Sequence, residues 1–563
     1  MTGGAAPPAS NYDVVVVGSG ASGGWACKRL AEAGLNVALL EAGRPQSDAN
    51  FTEHKPAFEL KYRDRAREIV AKTRPVQSQF EICSEYNYDW FCNDLEEPYT
   101  TPDDKPYWWM GRVRMTGGRT NVWGRVSLRY GERDFGAASR DGYGADWPLG
   151  YADLAPYYDL VEDYVGITGM AEGLEEIPDG RFHPPMALTC QEVLFRNRVK
   201  EKLGRTVTLA RSANLTKPLN GRAACHYCGP CERGCATHSY FNSAFTTVAD
   251  ALASGRCTLI SNAMAWKVLR DPDSNRARGI LYVDRVTREP REVYGRAVVL
   301  CAQTYESARI LLNSTDRDHP NGLANSSGVL GHYLTAHVRS AGGRGEFPTF
   351  GGKPKLGGPS RPLGIYIAPF RNTRGASPSS FLRSYGYEGG SRTQFDWRAP
   401  GFGEPYKAAV RDPQSEIDIT GFGEVLPRLD NFVEIDPHAT DVFGIPVLKI
   451  HFSDGENERA MIKDMGESAG ELLEAAGARN VSTYAHPSAP RWAVHEAGTA
   501  RMGRDPRTSV LNEFQQSHDV KNLFVMDASG FPSNPCQNPT LTIMALCVRS
   551  CDYLMSQMRR GEL

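Results

Sequence analysis

Two residues near the end of this 563-residue chain have types and surroundings suited to chemistry on a hydroxyl group: His495 in VHEAGTARMG and Asn538 in NPTLT. Taking a hydride from an alcohol carbon is easier if the hydroxyl proton leaves to a base, and imidazole titrates near neutral pH. His495 is the expected base, and the amide of Asn538 can hold the same oxygen. A lone histidine and an asparagine at a helix start are otherwise ordinary structural residues. In NPTLT, Pro539 suits the first helical turn and Asn538 the N-cap, so the free N–H groups around Thr540 can stabilise negative charge on an acceptor ring. Just upstream, NLFVMD is expected to be a strand with Asp527 at its carboxyl end and Ala528 next, where ligands sit in open α/β sheets.

A second cluster of reactive types is Cys225, Cys228, Cys231 and Cys235, spaced C-x2-C-x2-C-x3-C within ACHYCGPCERGCATHSYFN. Gly229 and Gly234 let such a loop curl so that four thiolates face one centre. The spacing is that of the first cluster of bacterial ferredoxins, without the proline after the last cysteine. An iron–sulfur cluster is the sharp expectation. A four-thiolate zinc site, more often two separated C-x2-C pairs, and disulfides or reduced thiols without metal remain open at this point. His226 and His238 are expected to make local hydrogen bonds.

The element that must position a cofactor for these groups is Asn11 to Gly43. Val14 to Val17 form a β-branched run expected of a strand buried on both faces. Gly18, Gly20 and Gly23 then give G-x-G-x-x-G, with Ala21 and Ser22 opening a helix, and Val37 to Leu40 a second strand ending in Glu41 and Ala42. Gly18 allows a tight turn, Gly20 lets a pyrophosphate reach the backbone, and Gly23 lets helix and strand approach. The helix N-terminus favours a phosphate, and Glu41 can accept hydrogen bonds from ribose hydroxyls. The bland alternative is an ordinary glycine-rich turn with Glu41 solvated.

RVRMTGGRTNVWGR (Arg112 to Arg125) places Thr116, Gly117, Gly118 and Asn121 in a small, polar stretch suited to backbone lying against a flat ligand, or else to a turn between strands. Between Ala251 and Val299 short β-rich runs alternate with turns, Ala265 among them as a cofactor contact. Arg296 to Ser314 is expected to be a buried strand followed by a helix, a return to the first sheet. KYRDRAREIVAK is expected to be a solvated helix, Trp147 to Gly169 a packing helix with a glycine stop, and Glu456 to Gly477 another helix. From about Ser340 to Val481 the composition shifts towards Gly, Pro, Arg and aromatic residues with strand-length runs, pointing to a separate β-rich domain over the ligand.

A net charge of -2, from 64 Lys+Arg against 66 Asp+Glu, argues against a nucleic-acid surface. No apolar run approaches the ~18 residues of a membrane span, and the first residues carry no export signal. Thirteen cysteines are too sparse for a disulfide scaffold.

With Gly18 to Glu41, Thr116 to Gly118, Ala302 to Asn313, HEAGTARMG and NPTLT in order, the chain resembles the glucose-methanol-choline (GMC) family of FAD oxidoreductases essentially end to end. The resemblance implies an α/β fold with a Rossmann-like FAD-binding domain of discontinuous segments (10–50, 105–135, 220–335 and 490–563, with a cysteine-rich insertion at 222–242). A β-rich, α+β substrate domain and cap would comprise 51–104, 136–219 and 336–489. It implies that His495 is the catalytic base, with hydride passing to flavin N5, and that Asn538 stands where members carry a second His or an Asn. NPTLT looks like the pyranose oxidase group. The cysteine loop looks like that of bacterial FAD-dependent glucose and glucoside 3-dehydrogenases, whose C-x5-C-x3-C is met by Cys225, Cys231 and Cys235, with Cys228 extra. That likeness implies a 3Fe-4S or 4Fe-4S cluster, a sugar or glycoside substrate, and electrons leaving to a small subunit or cytochrome-type acceptor. The alternative is an oxidase reducing O2 without a cluster. Val122 replaces the histidine that attaches the flavin in pyranose oxidases, so the FAD is expected to be non-covalent. Location is expected to be cytoplasmic, or periplasmic by export with a signal-bearing partner.

Overall fold

The computed structural model describes residues 11–347, 361–393, 401–411, 415–487 and 490–563. Residue 10 and parts of the 336–489 segment therefore lie outside the described residues.

The chain begins as its residue pattern requires. Strand β1 (Asn11–Val17) runs into helix α1 (Ala21–Glu32) and returns as β2 (Val37–Glu41), parallel to β1 with Val14 opposite Val37. Four further strands, β3 (Cys257–Ser261), β4 (Ala263–Asp271), β5 (Arg276–Asp284) and β6 (Pro290–Leu300), extend it into a sheet of order β3-β2-β1-β6-β5-β4. β3 and β6 are parallel to their neighbours β2 and β1, whereas β4, β5 and the first half of β6 form an antiparallel meander. Val14 to Val17 and Ala297 to Leu300 are buried, the state predicted for β-branched runs covered on both faces. Helix α2 (Thr304–Asn313) follows β6, as the sequence of Arg296 to Ser314 led us to expect.

Later segments of the chain build a second sheet. Strands β7 (Thr335–Val338), β8 (Ala341–Phe347), β9 (Tyr385–Thr393) and β10 (Ser415–Glu424) form its centre, backed by helix α3 (Glu456–Ala475). β11 (Arg479–Ala485) pairs with β8, and the short β12 (Val494–Ala497) pairs antiparallel with β7. The chain then re-enters the first sheet as β13 (Leu523–Val525), parallel to β6, and ends in helix α4 (Thr540–Arg559), which packs on α1. Each sheet anchors its own large apolar core. No helix among the described residues is long and apolar enough to cross a membrane.

Two local expectations are corrected. The helix expected over KYRDRAREIVAK shrinks to Arg67–Ala71, because Arg63 and Asp64 both take left-handed φ values of 55° and 61° and interrupt it. Helix α4 starts one residue later than expected, with Pro539 at the N-cap. Proline has no N–H to leave unsatisfied there, so Asn538 is freed from capping and stands outside the helix.

Candidate active site

One continuous cavity of about 420 Å³ runs from the β1–α1 turn to the start of α4. Fourteen sequence-predicted positions, from Gly18 near the chain start to Thr540 near its end, border it: Gly18, Gly20, Ala21, Ser22, Glu41, Ala42, Gly118, Ala265, His495, Asp527, Ala528, Asn538, Pro539 and Thr540.

At one end the glycines behave as their spacing demands. Gly18 has φ +95°, and a Cβ there would stand 2.4 Å from the Cys301 carbonyl oxygen. A Cβ on Gly23 would lie 1.7 Å from the Gly18 carbonyl oxygen, so Gly23 serves helix–strand contact and does not border the cavity. Gly20 differs from both, since a Cβ there would meet nothing within 4 Å. The open space in front of it, at the uncapped N-terminus of α1, is a cradle for an anionic phosphate. Glu41 closes this end: its Oε2 accepts from Ser19 N–H at 3.1 Å and from the Ser19 hydroxyl at 2.5 Å, and its Oε1 from Gly43 N–H at 2.6 Å.

The Thr116 to Asn121 loop is tied to the same network, because Gly117 N–H donates to the Ser19 hydroxyl at 2.8 Å. Gly117 is left-handed at φ 92°, and Gly118 brings its backbone against Gly20, where an added Cβ would sit 3.4 Å from the Gly20 Cα. Thr116, Gly117 and Asn121 do not border the cavity. Asn121 donates to the carbonyls of Thr116 at 3.0 Å and Gly118 at 2.9 Å, so it shapes the loop and leaves ligand contact to Gly118. Asp527 likewise knits the scaffold, accepting from Gln303 N–H at 3.0 Å and the Ser307 hydroxyl at 2.5 Å, and burial raises its pKa.

At the other end stand His495 and Asn538. β7 and β12 pair with Val494 opposite His337 and Ala497 opposite Thr335, a register that shifts between the two pairs. The irregularity falls at His495, whose φ is +65°, an uncommon conformation for a residue with a Cβ and one associated with functional sites. The bulge turns the ring to the cavity and sets its Nδ1 2.9 Å from Nδ1 of His337. Asn534 Nδ2 holds the His495 carbonyl at 2.7 Å, and Glu496 is anchored by Arg119 at 2.7 Å. Burial first, then the neighbouring His337 ring and the guanidinium charges of Arg119 and Arg339, place His495 well below the ordinary histidine range.

Along the cavity several buried polar atoms have no protein partner: Trp109 Nε1, Gln303 Nε2, Glu388 Oε1 and Asn538 Oδ1. Each such atom costs about 1–3 kcal/mol if left unpaired, so this donor and acceptor set fits an elongated polar ligand along with its substrate. Glu388 from β9, Phe422 from β10, Arg339 after β7 and Trp492 before β12 form the roof, and burial raises the Glu388 carboxyl. None of these roof residues was found from the sequence, and no local spacing marks them. Gln303, at φ 83°, was within reach, since it sits in the strand-to-helix stretch already singled out. Val122 is buried against the cavity wall, with an aliphatic side chain where covalent attachment would need a nucleophile.

The cysteine loop does not assemble as its spacing suggested. Cys231 and Cys235 are buried beside Tyr240, while Cys225 and Cys228 are partly exposed, and all thirteen cysteines are free of disulfides. Among the described residues no group of three or more His, Cys, Asp or Glu side chains converges so that it could hold a metal ion. Local contacts take the thiols instead: Cys225 Sγ accepts from Tyr227 N–H at 3.4 Å, and Cys235 Sγ contacts the Thr237 hydroxyl at 3.4 Å. Burial, then neighbouring thiols, push Cys228 up to about 11. His238 pairs with Asp48 at 2.8 Å, the local role expected of it.

Two family profiles described as GMC oxidoreductase match residues 12–339 and 427–547. The 2-methyl-1,2-propanediol dehydrogenase of Mycolicibacterium austroafricanum is 29% identical, over 97% of this chain and 95% of its own. Paromamine 6'-oxidase of Streptomyces fradiae is 29% identical over 96% and 90%. The fructose dehydrogenase large subunit of Gluconobacter japonicus is 26% identical over 98% of both chains. Among solved structures, pyridoxine 4-oxidase from Mesorbium loti superposes with a TM-score of 0.61 at 16% identity, covering 97% of this chain and 99% of that one, which shows a shared fold.

Proposed function

The chain belongs to the GMC oxidoreductase family, and from that premise we propose that it oxidises a hydroxyl group of a sugar or glycoside, with His495 as the base and Asn538 holding the reacting oxygen. The observation that carries the proposal is the one continuous cavity bordered by the Gly18–Ser22 turn, by His495 and by Asn538, whose amide N–H can donate to the reacting oxygen. Membership in the family implies FAD. The residues that would hold it are Glu41 and Ser19 at the ribose, Gly20 to Ser22 at the pyrophosphate, and Gly118, Ala265, Asp527, Ala528 and Pro539 to Thr540 along the rest. When bound, FAD supplies the acceptor for the substrate's hydride. Everything else falls to the chain: the roof excludes water, Asn538 orients the hydroxyl, and His495 takes its proton. Segments 10–50, 105–135, 220–335 and 490–563 are assigned to the cofactor unit, and 51–104, 136–219 and 336–489 to the substrate unit and cap.

The sugar class is supported by unpaired hydrogen-bonding atoms along the cavity and by relatives named for a diol, an aminoglycoside and fructose. The relatives include both dehydrogenases and oxidases, so the acceptor is the branch to be tested. The thiols do not fit a cluster, and no electron path is routed through one. Anaerobic titration with a panel of sugars and glycosides is expected to bleach the flavin absorbance. Iron and acid-labile sulfide assays on anaerobically purified protein are expected to read zero, with peroxide formed in air if O2 is the acceptor. Failure of every hydroxylated substrate to bleach the flavin would overturn the proposal, and stoichiometric iron and sulfide would restore the dehydrogenase path to a small subunit or cytochrome.

The pH dependence follows from the depressed pKa of His495. Its proton-accepting form persists as pH falls through the ordinary histidine value, so the rate of flavin reduction should be level from about pH 8 to about 6.5 and decline only in more acid solution. A stopped-flow midpoint at or above about 6.5 would contradict the environment described for His495.

A further inference from the structure

Resting on the assignment of His495 as base, we propose that His337 is a positioning residue that fixes His495 in its Nδ1–H tautomer and so leaves Nε2 bare to accept the substrate proton. His337 is fully buried, and its Nε2 lies 2.6 Å from the carbonyl oxygen of Pro535. A carbonyl only accepts, so that nitrogen carries the ring hydrogen. Burial holds His337 down to about 4, so the ring is neutral and has one hydrogen, already spent on Pro535. Its Nδ1 is therefore an acceptor. The facing nitrogen, Nδ1 of His495 at 2.9 Å, must then be the donor, and the remaining nitrogen of His495 keeps its lone pair.

The geometry holds this arrangement from both sides. His337 sits in β7 between β12 and β10, its partners being Val494 and Glu424. Phe422 packs against both rings, with centroids 6.3 Å from His337 and 6.1 Å from His495. Pro535 belongs to the segment that leads directly into Asn538, so one carbonyl links the ring that orients the base to the residue that orients the substrate. When the hydroxyl proton moves to Nε2, the resulting imidazolium still donates from Nδ1 to the neutral His337, and no second proton has to move. Without the acceptor at His337, His495 is free to place its hydrogen on Nε2, where it faces the substrate hydroxyl and blocks proton transfer.

Two amide variants separate the two nitrogens of His337. In His337→Asn the amide oxygen can stand where Nδ1 stood and accept from His495, whereas His337→Gln reaches the Nε2 position and Pro535 but offers His495 nothing. Both are tested as FAD-loaded protein. His337→Gln is expected to lower kcat for flavin reduction at least about tenfold with KM and flavin content little changed, and His337→Asn to restore most of the rate. Independently of any variant, nitrogen NMR of ¹⁵N-histidine-labelled holoenzyme, with the signal identified by its loss in His495→Ala, should show His495 protonated at Nδ1. An Nε2–H tautomer, or equal rates in wild type and His337→Gln, would overturn the proposal. If His495→Ala itself kept its flavin reduction, the base assignment would fall and not merely the role of His337.

Discussion

His495→Ala is expected to slow reduction of the bound flavin by substrate by about 10²–10⁴-fold, the contribution typical of a positioned general base, while FAD stays bound. Both halves of this expectation come from where the side chain sits. His495 faces the cavity at its Asn538 end, and among the described residues its side-chain hydrogen bond runs to His337. The groups proposed to hold the ribose and pyrophosphate, Glu41, Ser19 and Gly20, belong to the opposite end and do not touch it. The backbone at 495 is held by the Asn534 amide through the carbonyl, a contact that alanine retains. Alanine, like histidine, carries a Cβ at φ +65° and is less often found there, so a thermal melt of the variant accompanies the rate measurement. The measurements are anaerobic stopped-flow reduction and the flavin-to-protein absorbance ratio. A variant reduced at near wild-type rate removes His495 from the mechanism, and loss of flavin from the variant would place its role in binding.

Gly20→Val is expected to give a folded protein that has lost its cofactor. The backbone at Gly20 is at φ −66°, accessible to any residue, and an added Cβ meets no atom within 4 Å, so the chain can accommodate the side chain. What the valine fills is the space before the α1 N-terminus, where the phosphates would approach the backbone. FAD affinity should fall by at least about tenfold, equivalent to about 1.4 kcal/mol. The control is Gly23→Val, where the new Cβ would lie 1.7 Å from the Gly18 carbonyl oxygen. There β1 and α1 must separate, and the protein is expected to be insoluble or markedly less stable. Circular dichroism melts of the apoproteins together with flavin absorbance distinguish the two. Full FAD content in Gly20→Val would mean that the cradle is not the phosphate site.

What could be read in advance follows the distance over which each feature is specified. The βαβ unit was legible because its strand, glycines and acid all lie within Asn11 to Gly43, and each acts through the backbone next to it. The strand-to-helix step at Arg296 to Ser314 was legible for the same reason. His495 and Asn538 were legible as types, but the bulge that turns His495 inward is a property of the pairing of β12 with β7 and has no local signature. Glu388, Phe422 and Arg339 escaped notice because two different strands and the residue following a third bring them together, with no spacing that marks them locally. The cysteine loop failed in the opposite sense. Its spacing is suggestive on paper, yet Cys231 and Cys235 are buried with Tyr240 while Cys225 and Cys228 are partly exposed, and no three of these side chains converge to hold a metal ion. The helix expected at KYRDRAREIVAK shows composition overruled by two left-handed residues.

The contact of α4 with the first turn of α1 sets the order in which this protein can be assembled during synthesis. Cys547 in α4 donates to the Ser22 carbonyl at 3.2 Å across a sequence separation of 525 residues, and β13 completes its sheet only by docking beside β6. The glycine turn proposed as the phosphate cradle is synthesised well before the α4 segment that packs against it. Closing so long a loop is entropically slow, and a nascent chain holding the turn alone offers a cofactor half a site. Assembly of the proposed cofactor site therefore waits on the docking of α4 and β13, and the stretch from His495 to Thr540 arrives with them.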